Sequence, residues 1–272
     1  MNTINKVSTR SFFSFLRQHQ LIIFFVVTLL LSAGIAAVAI VIGDKNITIL
    51  SVFTPSLVAI ALTALVGGRS ELKNLLVKQM KQHVEYRWVV ISLITFPILA
   101  ILAISMHSLF GGSELTLRTT QLLPQMIVIV LIALGEEYGW RGYALPKLEE
   151  RYNALTASLI LGLVWGFWHF PGYLIGVGVP LDMPFYVFML WVLAATILIT
   201  WVYNNTRSVL MAMLMHIAAN ATFNYLSLLP EFTGQIVTFW LFLGLVSLAS
   251  IAVVAVFGAS HLIRHSEPHP GT

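Results

Sequence analysis

Apolar positions along this chain come in long runs, not in alternation. Eight runs of roughly 20 residues, at about 20–42, 49–67, 88–110, 121–142, 154–176, 185–203, 208–228 and 236–258, are each long enough to cross about 30 Å of hydrocarbon as a helix. Strand-like alternation is absent, so the pattern does not support a β-barrel. The first run is too long for a removable signal peptide and lacks a small-residue cleavage site. Between the second and third runs the pattern changes. In ELKNLLVKQMKQHVEYR (71–87), Leu72, Leu75, Leu76 and Met80 recur at helical spacing against lysines. That spacing predicts an amphipathic helix lying on the inner membrane surface. No fixed-period repeat, second domain or long soluble loop interrupts the series. The expected architecture is one membrane domain over 1–272, an all-α polytopic membrane protein whose eight or so helices enclose an intramembrane polar cavity.

Composition strengthens this reading. The chain is 58% hydrophobic and 10% charged, where a soluble domain carries about 25% charged residues. A water-soluble core cannot absorb that much apolar surface, so the solvent is lipid. With no cysteine, disulfides, thiolate nucleophiles and cysteine-based zinc sites are excluded. The net charge of +4 reflects topology, not nucleic-acid binding, because the basic residues sit between apolar runs. With the N-terminus inside, thirteen of them fall on one side: Lys6, Arg10, Arg17, Arg69, Lys73, Lys78, Lys81, Arg87, Arg141, Lys147, Arg151, Arg207 and Arg264. Only Lys45 and Arg118 fall on the other, which puts both termini in the cytoplasm.

Ionisable residues inside membrane spans mark functional sites by default. Here they are Glu136 and Glu137 in the fourth run, His169 in the fifth and His216, with the amide Asn220, in the seventh. His107, at the outer end of the third, reads as interfacial. If the fourth helix ends near Leu145, Glu136 lies roughly 14 Å above its cytoplasmic end. His216 and Asn220 come out at about 12 Å and 18 Å, and His169, the poorest fit, at about 22 Å. The set therefore converges on the inner half of the bilayer. Each member also has a structural reading. Glu137 and Arg141 are spaced i,i+4 with the glutamate on the favourable N-terminal side, as an ion pair requires. Glu136 points about 100° away around the helix and has no such partner. His216 and Asn220, one turn apart on one face, can act as interhelical glue.

Two acids, two histidines and an amide in a low-dielectric site suit one chemistry in particular. A carboxylate among apolar groups is a stronger base than one in water, and a histidine beside it can orient the water to be activated. A second histidine and an amide can stabilise the oxyanion of an attacked carbonyl. This is hydrolysis of an amide by water, without a covalent intermediate. Zinc is the rival reading, since histidines and a glutamate are also zinc ligands, but no HExxH supports it. The serine-nucleophile word G-x-S-x-G is missing too.

These residues resemble the CPBP intramembrane proteases, named for CAAX-processing and bacteriocin-processing members. The family pattern is EExxxR, then FxxxH on the next span, then HxxxN two spans later. The chain has Glu136-Glu137-x-x-x-Arg141, Trp165-x-x-x-His169 and His216-x-x-x-Asn220, and the flanking words GEEYGWRGYALP and WGFWHFPGY are similar to those of bacterial members. Trp165 departs from the usual phenylalanine. The resemblance implies a glutamate-dependent endopeptidase of a bacterial cell membrane, with Glu136 as general base and His169 as its partner. It assigns the oxyanion to His216 and Asn220 and gives Glu137, Arg141 and Trp165 supporting positions. It implies no cofactor, with zinc a minor variant, and a peptide or membrane-anchored protein as substrate near the cytoplasmic face. Two other classes compete: a catalytically silent immunity or scaffold protein, and a proton-coupled transporter. Against the transporter stand the lack of two-fold internal similarity and of paired broken helices. Substrate identity and oligomeric state are not encoded legibly.

Overall fold

The computed structural model describes residues 2–263 except Ser113, with side chains from Phe13 onward. Helix α1 (Asn2–Ile42) leads through a 3-10 segment, Lys45–Phe53, into α2 (Thr54–Val66) and α3 (Gly68–Lys73), which runs on as a π-helical turn, Asn74–Lys78. Helix α4 (Tyr86–Ser108) follows. Helix α5 (Leu122–Glu137) then continues without a break through a π-helix, Tyr138–Ala144, into α6 (Leu145–Glu149). After α7 (Ala154–Trp168) and α8 (Phe170–Leu174) come α9 (Phe185–Thr206), α10 (Val209–Tyr225), the short α11 (Pro230–Thr233) and α12 (Val237–Phe257). Among the described residues there is no strand, only an isolated bridge between Leu117 and Leu226.

Among the described residues, seven helical segments are long and apolar enough to cross a membrane: Phe13–Ile42, Lys45–Val66, Tyr86–Ser108, Leu122–Glu149, Ala154–Leu174, Phe185–Thr206 and Val237–Phe257. Large apolar side chains such as Leu30, Ile40, Leu123, Leu163, Leu248 and Ile251 point outward on them, which is stable only against lipid. The chain is an integral membrane protein with an all-α polytopic fold.

The remaining expected span, 208–228, is α10, with only 17 residues, about 25 Å of helix. It is short because it is interior. Eleven of its residues are buried, and it packs on α4, α5 and α9. Its first amide, Val209, donates to the Gln79 carbonyl, so protein and not lipid covers its start.

Two expectations change at the surface. The amphipathic helix does not run from 71 to 87. It covers Gly68–Lys78, and the chain then loosens before Tyr86 opens α4. The reason lies in Gln79, whose carbonyl meets α10 while its side chain donates to the Gly142 carbonyl and receives the Tyr203 hydroxyl. A residue held by three elements of the bundle cannot lie on a free surface helix. His107 is likewise buried, not interfacial, with Nδ1 2.8 Å from Thr238 Oγ1 of α12.

The loops sort the two faces of the bundle. The turns around 67–85, 150–153 and 207–208 share the face on which α1 begins. The opposite face gathers 43–46, 109–121, 175–184 and 226–236. There Arg118 N donates to the Tyr225 carbonyl, Thr116 N to Ser227 Oγ and Leu181 N to Glu231 Oε2.

Candidate active site

The helix carrying the two glutamates is built to approach its neighbour closely. A Cβ on Gly135 would lie 2.6 Å from the Val52 carbonyl oxygen, and one on Gly139 would lie 2.5 Å from the Pro55 carbonyl carbon. Only glycine fits at either place. Gly135-x-x-x-Gly139 is thus a small-xxx-small contact of the kind that draws membrane helices together, and it clamps the Glu136–Glu137 turn against the start of α2. Immediately after Glu137 the helix widens into its π segment. Such segments are common at functional sites, because one extra residue per turn re-aims the side chains around it.

The two acids then part company. Glu137 and Arg141, both 0% exposed, form an ion pair with Arg141 Nη1 2.7 Å from Glu137 Oε1. The same oxygen is 2.8 Å from His216 Nδ1. A carboxylate can only accept, so Nδ1 carries the hydrogen and Nε2 is the nitrogen left for chemistry. Glu136 is 2% exposed, and its Oε2 accepts a 2.7 Å hydrogen bond from Trp165 Nε1. Its other oxygen is left for the cavity.

Trp165 links the whole group. Its ring lies under Arg141, with Cζ 4.4 Å from the ring centroid, and meets the His216 ring edge-on at 5.3 Å. Its carbonyl oxygen lies 2.9 Å from His169 Nδ1. A carbonyl has no proton to give, so here too Nδ1 donates, and the neutral ring presents Nε2 as an acceptor. Trp168 and Phe188 hold the His169 ring edge-on from two sides, at 4.7 Å and 5.0 Å. Tryptophan in place of the family's usual phenylalanine therefore adds a polar anchor for Glu136, a role that reading it as a packing ring misses.

Glu136, His169, His216 and Asn220 line one cavity of about 560 Å³. No direct hydrogen bond joins Glu136 to His169 among the described residues; they face each other across this space. Asn220 is half-buried, and its backbone carbonyl accepts from Asn224. Glu137 and Arg141 do not line the cavity. They sit behind it.

Continuity of α5 through α6 repairs the expected mismatch in depth. Because the helix ends at Glu149 and not near Leu145, Glu136 lies about 20 Å from its lower end. His169 lies about 22 Å above Ala154, so the two now match. Val209 is recessed beside Gly142, and from there His216 rises about 10 Å to the same level. The three helices therefore bring the set to one level of the bundle. Sequence reasoning missed the remaining walls: Ser32 of α1 and the 45–52 segment, including Asn46, Thr48 and Ser51. Small and hydroxylated residues in that otherwise apolar entry are the available signal.

Fold and site together define an integral membrane protein with a cavity inside its helix bundle lined by a glutamate, two histidines and an amide. The family model described as type II CAAX prenyl endopeptidase Rce1-like matches residues 118–222, the stretch that holds every residue of the converging set. The chain is also 31% identical over 140 residues to CAAX prenyl protease 2 of Methanococcus maripaludis, across 46% of this chain and 51% of that relative. It thus spans about half the length of the curated relative it matches. Over this segment the chain is similar to the Rce1-like type II CAAX prenyl endopeptidases.

Proposed function

We propose that this protein is an intramembrane endopeptidase of a bacterial cell membrane, with both termini in the cytoplasm. It hydrolyses a peptide bond in a membrane-associated protein or peptide, as in CAAX-type or leader-type processing. The observation that carries the reading is the convergence of Glu136, His169, His216 and Asn220 on one cavity.

In this reading the free oxygen of Glu136 takes a proton from a water that also donates to His169 Nε2. The resulting hydroxide attacks the scissile carbonyl carbon. The tetrahedral oxyanion accepts from the Asn220 amide, which donates whatever the charge of its neighbours. His216, whose Nδ1 donates to Glu137, is the second group at the oxyanion in this reading. Collapse breaks the C–N bond, and the proton held on Glu136 passes to the leaving amine. The products are a new carboxylate and a new amine.

In this reading water is activated by protein groups alone. No three His, Asp or Glu side chains are grouped as ligands among the described residues. His216 Nδ1 and one oxygen of each glutamate are already engaged within the protein.

The test is cleavage by purified protein in lipid nanodiscs against a library of membrane-anchored peptides, with and without EDTA. The expected result is cleavage that persists in EDTA and is lost in Glu136→Gln. Equal cleavage by wild type and Glu136→Gln would sink the mechanism. A cellular phenotype that survives both Glu136→Gln and His169→Ala would favour the scaffold function instead.

A further inference from the structure

A second, smaller cavity of about 90 Å³ adjoins the first between α7, α9 and α10. Apart from two indoles, its polar side chains are His169, His216 and Asn220, and all three also line the larger cavity. Glu136 lines the larger one and not the smaller, so the three stand at the boundary between them. Beyond that boundary the walls are apolar. Helix α9 contributes Trp191, Val192, Ala195 and Ile199, spaced so that one face of the helix meets the cavity, and α10 contributes Ala219 and Phe223.

Two features limit the size of this cavity. Trp191 is held in place, with the rings of Phe96, Phe223 and Phe242 at 5.1, 4.9 and 5.2 Å from its own. Ala195 and Ala219 are 1% and 4% exposed, and each stops at a methyl group where a longer side chain would take space from the cavity. An apolar cavity of about 150 Å³ stays dry and takes a benzene ring. One of about 90 Å³ suits a smaller group, a branched aliphatic side chain.

We infer that Ala195 and Ala219 set which side chain is accepted beside the scissile bond: a compact apolar one, seated in this cavity. The inference rests on the peptidase reading and deepens it. In that reading the carbonyl oxygen under attack points at Asn220 and His216. The Cα atoms on either side of the scissile bond are then one and two bonds from a carbon placed at the mouth of the cavity. One flanking side chain enters it. An aliphatic side chain brings no polar group that would go unpaired, whereas a charged one would lose its water there with no partner except the catalytic groups. A phenyl ring exceeds the space. A missing or extra methylene in an apolar pocket changes kcat/KM by about 10- to 200-fold, so two alanines suffice to set the choice.

The probe is a library of membrane-anchored peptides, randomised over their central residues and offered to the full-length protein in nanodiscs. Sequencing the wild-type products should show alanine, valine and leucine enriched over phenylalanine and aspartate on one side of the cleaved bond. In Ala195→Leu and Ala219→Leu the ratio of leucine to alanine at that position should fall roughly tenfold or more, and Ile199→Ala should admit phenylalanine. A preference unchanged in all three variants overturns the inference, as does a wild type that takes phenylalanine as readily as leucine on both sides. In either case Glu136-dependent cleavage keeps the peptidase reading. Melting temperatures identify a variant that has lost its fold, and Ile199→Ala, which only removes atoms, carries the test if both leucine variants do. A second arm needs no turnover: it sequences the peptides retained by Glu136→Gln, alone and combined with Ala195→Leu. The expected enrichment and shift there, with no cleavage by wild type, would refute the peptidase reading and leave the pocket standing. Retained peptides without any preference, again with no cleavage, would overturn both.

Discussion

Glu136 and Glu137 are neighbours in sequence and belong to different regions of the molecule. Behind the cavity, Glu137 is locked between Arg141 and His216, and both of its strong contacts are to ions or ionisable groups. At the cavity wall, Glu136 has one neutral donor, Trp165, and otherwise faces open space. One region is a closed group of charged and ionisable partners meeting on a single Glu137 oxygen, and the other opens to the cavity. A carboxylate that holds an arginine and a histidine away from any cavity is structural, and one with an oxygen turned to a cavity has capacity left for a ligand. Burial cannot separate the two, since both are almost completely removed from solvent. Partners separate them.

The largest test of this contrast is Glu136→Gln. The amide keeps an oxygen for Trp165 and occupies the same volume, so the fold should stand while cleavage falls by about 100- to 10,000-fold, the range for loss of a general base. Turnover of a membrane peptide, measured alongside the melting temperature in nanodiscs, checks both halves. Arg141→Ala should do the opposite. It strands Glu137 as an unpaired buried charge, for which about 3–5 kcal/mol of stability is lost, and denaturant titration of the folded fraction would read it. If Arg141→Ala melted like wild type while Glu136→Gln unfolded, the assignment of the two regions would be reversed.

Two smaller effects sharpen the comparison. Gly139→Ala forces a methyl into the Pro55 carbonyl and should cost about 1–3 kcal/mol, with activity lost in parallel as α2 is pushed off the glutamate turn. Trp165→Phe keeps a ring beneath Arg141 and removes only the N–H that anchors Glu136. The expected result is a stability change of about 1–2 kcal/mol and a fall in kcat with KM nearly unchanged, because the substrate still binds and the base is less well aimed. A rise in KM alone would assign Trp165 to substrate binding. As a scale mark, Ser250→Ala removes the α12-to-α9 hydrogen bond to the Ala194 carbonyl and should cost only about 0.6 kcal/mol.

Much of this was legible in the chain. Membrane helices announce themselves because every backbone group must be satisfied within the segment and every outward side chain must suit lipid, so the runs alone locate them. The i,i+4 pairing of Glu137 with Arg141 is equally local and holds as read. His169 was harder to place. Its match to Glu136 depends on where the helix carrying Glu136 stops, and the π-helical turn at Tyr138–Ala144 that carries α5 on to Glu149 has no simple signature. The 71–87 helix was over-extended because its apolar spacing continues past Gln79, while the contacts that halt it come from α9, α10 and the segment around Gly142.

Hydropathy, charge asymmetry and three short motifs therefore determined the class of the protein, its helices and the candidate residues, since each of those depends on a side chain and the solvent around its own segment. Tertiary structure alone decided which nitrogen of His216 is free, that Trp165 holds Glu136, and that Glu136, His169, His216 and Asn220 line one cavity. Those facts depend on atoms brought together across long stretches of sequence, 29 residues for Trp165 to Glu136 and 79 for His216 to Glu137, and no local pattern specifies the meeting of separate helices.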